Sequence, residues 1–75
     1  MGTTQKLDCK GMACPMPIVK ISKAMKGLAS GETLEVVADD PGFDPDVHAW
    51  CNKTRDELVG LTTEGDLITA VIRKS

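Results

Sequence analysis

"ACPMPIVKISKAMKGLASGETLEVVA", residues 13–38, changes its apolar period partway along. From about Pro15 or Pro17 to Leu28, the residues Ile18, Ile21, Ala24, Met25 and Leu28 recur at 3.6 residues per turn, which predicts an amphipathic helix. "SGE" then reads as a turn. In "TLEVVA", residues 33–38, Leu34, Val36 and Ala38 alternate toward one side, the pattern of a strand with one buried face. A helix followed by a strand, with "QKLDC" as a short strand ahead of both, opens the chain as βαβ.

Outward from that stretch the same logic continues. Asp44, Pro45 and Asp46 read as a helix start, with Asp44 as N-cap, a proline at the first helical position and a second acid at the positive end of the macrodipole. Val47, Trp50 and Cys51 share one face of that helix. "ELVGLTTEGDLITAVIR" reads as a hairpin turning at Glu64, Gly65 and Asp66. The order βαβαββ predicts an α/β two-layer sandwich, a four-stranded mixed sheet with two helices packed on one face. If the first three strands are parallel neighbours, the right-handed crossover rule puts both helices on the same side.

The chain has 75 residues, so residues 1–75 are expected to form a single domain near the lower size limit for one hydrophobic core. With 41% hydrophobic and 27% charged residues it has the composition of a folded, water-soluble domain, and no apolar run approaches the roughly 18 residues of a membrane span. No membrane partner is expected. "MGTTQKLDC" lacks the regions of a signal peptide, so a cytoplasmic, reducing setting is expected. Nine basic against eleven acidic side chains give a net charge of -2, and one Phe, one Trp and no Tyr leave little to stack on bases. Direct sequence-specific nucleic-acid binding is therefore not expected; a protein partner is.

Cys9, Cys14 and Cys51 are an odd number of thiols. Cys14 stands out because Pro15 and Pro17 follow it. Proline is tolerated in a first helical turn, and the residue before a proline is driven to an extended conformation, so Cys14 is placed at or just outside the N-cap. There its thiolate faces the helix's positive end, which lowers the thiol pKa moderately, since Pro15 and Pro17 remove two amides that could have bonded it. Gly11, Pro15 and Pro17 are expected to shape the site. Cys51 reads as an inert buried cysteine, and Cys9 as close enough in sequence for an adventitious disulfide with Cys14.

No second cysteine stands in a C-x-x-C arrangement to resolve a mixed disulfide, and His48, the one histidine, lies in a helical first turn rather than as an evident base. An activated thiol with neither resolver nor base fits a group carrier, one that takes a sulfur atom as a persulfide and gives it to another protein. Two other classes compete. One is an interaction or regulatory module in which Cys14 is only a cap. The other is a zinc site written from Cys9, Cys14, His48 and Cys51; against it, Cys9 ends a strand and Trp50 beside Cys51 suggests that this face enters the core. No metal and no cofactor is expected. Asp39, Asp40, Asp44 and Asp46 lack a calcium-loop spacing and read as turn and cap residues.

"LDCKGMACPMPIVK", "SGETLEVVADDP" and the later "WC" resemble the TusA-like sulfur carriers, a small sulfurtransferase family marked by a Cys-Pro-x-Pro motif after a short first strand. The resemblance runs from about Leu7 to Arg73. It implies the βαβαββ two-layer fold and a persulfide on the motif cysteine, here Cys14. It also implies a cysteine desulfurase or rhodanese-type sulfur donor and a downstream sulfur-accepting protein, in tRNA thiolation, molybdenum cofactor synthesis or sulfur oxidation. Opposite the first helix's apolar face lie Met16, Val19, Lys20, Lys23 and Lys26. Met12, Met16 and Val19 are expected to form the apolar centre of a docking patch, with Lys10, Lys20 and Lys23 steering an acidic partner.

Overall fold

A computed structural model describes residues 4–12 and 16–75. The elements run β1 (Thr4–Cys9), α1 (Met16–Lys26), β2 (Thr33–Ala38), α2 (Phe43–Thr54), β3 (Glu57–Glu64) and β4 (Leu67–Arg73). They form the βαβαββ sandwich that the periodicities predict, with one mixed four-stranded sheet in the order β1-β2-β4-β3. β1 and β2 are parallel, and β4 is antiparallel to both β2 and β3.

β3 is not the neighbour of β2, contrary to a sheet in which the first three strands are consecutive parallel neighbours. β4 folds back across the tight turn at Gly65 and inserts between them. The physical reason is burial. β4 alternates Ile68, Ala70 and Ile72 into the core, as a central strand should, whereas β3 has Gly60, a register shift between Leu58 and Gly60, and an exposed Val59. Bulges and glycines belong at edges, where they blunt pairing with other chains.

One sheet face is covered by both helices. Leu34, Val36 and Ala38 of β2 and Ile68, Ala70 and Ile72 of β4 meet Ile21 and Met25 of α1 and Phe43, Val47 and Cys51 of α2 in a single cluster. On α1, Ile21, Met25 and the following Leu28 are buried as the pattern predicts, while Ile18 and Ala24 are half-buried at the margin. Pro17, expected as a backbone stiffener, is itself buried. Gly27 and Leu28 close the helix with bonds to the carbonyls of Ala24 and Met25, and Lys74 Nζ donates to the Met25 carbonyl at 2.9 Å. The cation adds a second donor to that carbonyl at the negative end of the helix.

α2 starts earlier than its sequence suggests. Its N-cap is Gly42, without a side-chain cap, and Asp44 lies in the first turn, bonded to His48 at 3.1 Å. Phe43 decides this start: its ring is 1% exposed, and taking the first helical position puts it on the face of Val47 and Cys51. Pro45 becomes the third helical residue, where its missing N–H still costs no intrahelical bond.

Candidate functional site

Ala13, Cys14 and Pro15 lie outside the described residues, and so does the N-cap geometry expected for Cys14. What can be read is how the chain is held on each side of them. Before them, Cys9 to Met12 form a turn in which Met12 N donates to the Cys9 carbonyl at 3.2 Å and Gly11 takes φ 79°. A positive φ at the third residue is the type II requirement that glycine meets without strain. Among the described residues no atom lies within 4 Å of where a Gly11 Cβ would be, so backbone conformation calls for glycine.

Two carboxylates hold the turn. Asp8 Oδ1 accepts from Lys10 N at 3.0 Å, and both oxygens of Asp39 accept from Gly11 N, at 3.0 and 3.1 Å. Asp39 follows directly on β2. Because β1 and β2 are parallel and Cys9 pairs with Ala38, the residues leaving both strands emerge at the same sheet end. Sequence reading assigned Asp39 only to turn formation. The signal that could have found it was its place after a strand parallel to the one that feeds the cysteine loop.

On the far side, α1 is anchored through Pro17 and Ile21. Its first turn has no acid, and Lys23 and Lys26 lie in its last turn, so no side chain of the helix's own neutralises the positive end that follows Cys14 in sequence. Met16 is 47% and Val19 39% exposed, and Lys10, Lys20 and Lys23 are exposed too. Met12 is half-buried against the core. An open groove of about 270 Å³ beside the turn is lined by Lys6, Leu7, Asp8, Lys10, Glu35 and Val37.

The other two thiols are structural. Cys9 and Cys51 are free and buried. Burial pushes the Cys51 thiol up to about 11, with Asp56 adding to the shift, and burial raises Cys9 as well, reinforced by Asp8 and opposed by Lys20. His48 is exposed and pairs with Asp44. Among the described residues no group of three or more metal-binding side chains comes together.

These thiols yield a prediction. At pH 8 in native buffer, iodoacetamide should modify one cysteine per chain quickly, with Cys9 and Cys51 reacting only after denaturant, because thiolates are the nucleophiles. The sign also follows for stability. Cys51 is held above its ordinary 9.0, so the stability from burying its neutral thiol is complete below about pH 9 and is lost as pH rises to about 11. A denaturation midpoint flat from pH 8 to pH 11 would contradict this.

Comparison with known proteins places these observations. The family model described as Sulfurtransferase TusA matches residues 5–74. The chain is 46% identical over 74 residues to the putative sulfur carrier protein YrkI of Bacillus subtilis, covering 99% of each. It is 38% identical over 71 residues to the sulfur carrier protein TusA of Allochromatium vinosum, with 95% of this chain and 93% of that one covered. Against the putative sulfur carrier protein YrkF of Bacillus subtilis identity is 47%, and the chain spans 40% of that relative's length. A crystal structure of a SirA-like protein from Desulfitobacterium hafniense superposes with a TM-score of 0.79 at 19% identity over 95% of both chains, a likeness of fold.

Proposed function

The chain belongs to the TusA sulfurtransferase family of sulfur carriers, and from that membership we propose that it takes up sulfane sulfur as a persulfide on Cys14 and passes it to a partner protein. The observation that supports this most is the family match over nearly the whole chain, Cys14 included, with the other two cysteines buried and held as thiols.

The chemistry balances without an external oxidant. The Cys14 thiolate attacks the outer sulfur of a donor's persulfide; the new S–S bond forms on Cys14, the donor's S–S bond breaks, and the donor sulfur leaves as a thiolate. In the second half an acceptor's thiolate attacks the outer sulfur on Cys14, and the Cys14 thiolate is released. Each half exchanges one S–S bond for another. A thiolate is both nucleophile and leaving group, so the positive end of α1 assists by stabilising it. Gly11, Pro15 and Pro17 shape the backbone around it.

A cysteine desulfurase or a rhodanese-type protein is the donor class, and the acceptor is a second protein, in tRNA thiolation, molybdenum cofactor synthesis or sulfur oxidation. A cytoplasmic location suits persulfide exchange, which needs reduced thiols. In the described residues no helix is long and apolar enough to cross a membrane. Docking uses the exposed side of α1 together with the turn before it: Met16 and Val19, with the half-buried Met12 at their margin, give an adaptable apolar centre, and Lys10, Lys20 and Lys23 steer an acidic partner. Val19→Asp should slow transfer about tenfold through a raised KM, with the melting temperature nearly unchanged because the position is exposed. Unchanged transfer with every donor and acceptor tried would remove the patch. The test of the function itself is the intact mass of the reduced chain after incubation with a desulfurase and cysteine.

A further inference from the structure

The turn ahead of Cys14 receives a tertiary contact from a carboxylate 28 positions away in sequence. Both Asp39 oxygens accept from the amide of Gly11, at 3.0 and 3.1 Å. Gly11 is the positive-φ residue of the turn that leads, three residues later, to Cys14. We infer that Asp39 is a positioning residue for sulfur transfer, acting through the Gly11 amide to hold the cysteine loop at the C-terminal end of β1. The inference rests on Cys14 being the sulfur carrier.

Three observations argue for position over stability. Asp39 is exposed, and its bond is to an exposed amide that water could satisfy, so the contact adds little to folding. The bond spans two different strand ends, and therefore ties the loop to the sheet rather than closing a local turn. The turn has its own closure as well, from Met12 N to the Cys9 carbonyl and from Lys10 N to Asp8. What Asp39 adds is the orientation of that turn relative to β2. With α1 anchored by Pro17 and Ile21, both described segments that flank residues 13–15 are held. Misplacing a reacting group by about 1 Å can cost a hundredfold in rate, so a bond that adds little to folding can still matter for position.

The experiment uses the full chain as wild type, Asp39→Ala, Asp39→Asn and Gly11→Ala. Two rates are read: sulfur loading from a desulfurase at saturating donor, and alkylation of Cys14 by iodoacetamide, which needs no donor. Asp39→Ala should load sulfur about tenfold more slowly at saturating donor, with the half-saturating donor concentration nearly unchanged. Asp39→Asn keeps an acceptor oxygen and should recover the rate to within about threefold. Gly11→Ala meets no steric contact among the described residues but strains the positive φ, and should slow loading in the same manner. Asp39→Ala loading at the wild-type rate overturns the inference, and so does Asp39→Asn as slow as Asp39→Ala, since that makes the charge and not the bond the cause. If wild type itself takes up no sulfur, the carrier reading fails; the alkylation rates then decide by themselves, with equal rates in wild type and Asp39→Ala overturning the positioning role.

Discussion

Cys14→Ser should take up no sulfur: after incubation with a desulfurase and cysteine its mass is expected to stay unchanged, while wild type should gain about 32 Da that reductant removes. A serine hydroxyl forms no persulfide, so the expected loss is complete. Cys9→Ala and Cys51→Ala should gain the same mass as wild type, because both thiols are buried and their thiolates disfavoured. The comparison separates three classes of function. A carrier loses sulfur only with Cys14. An interaction module with Cys14 as a cap gains none even as wild type, with thiosulfate and a rhodanese as donor included. A zinc domain would show stoichiometric metal and destabilisation by chelators. A mass gain surviving in Cys14→Ser would move the carrier role off the motif cysteine.

Phe43→Ala should be the most damaging single truncation, at about 3–5 kcal/mol. A 75-residue domain has about 4–11 kcal/mol of stability in total, so the variant should be largely unfolded at moderate denaturant and markedly lower in melting temperature. Phe43 is among the largest fully buried side chains and joins α2 to the sheet beside Val47. Asp44→Ala provides the contrast. A lost N-cap would cost about 1 kcal/mol, whereas Asp44 here is a first-turn residue paired with an exposed imidazole, and its loss should cost under about 0.5 kcal/mol. Chemical denaturation of both variants checks the helix start. An Asp44→Ala cost of about 1 kcal/mol or more would restore Asp44 as the cap.

Most of the architecture was legible because its determinants are local and periodic. β2 was readable to the residue from the alternation of Leu34, Val36 and Ala38, and the hairpin from Gly65 between two runs rich in β-branched residues. The exposed side of α1, with Met16, Val19 and its lysines, was readable from the helical period. The start of α2 was misread because Asp-Pro-Asp is a strong local cap signal, and the burial of Phe43 outweighs it only once a core exists to receive the ring.

By itself, then, the sequence determined the element types, their order and the helix faces, since each depends on neighbours within a turn or a strand. Only the tertiary structure decided that β4 lies between β2 and β3, that Pro17 and Phe43 are core residues, and that Asp39 reaches the turn before Cys14. Each of those depends on which distant segments share a surface. Desolvation and hydrogen-bond geometry act across space, and a sequence separation of 28 positions hides the Gly11 contact from any local pattern.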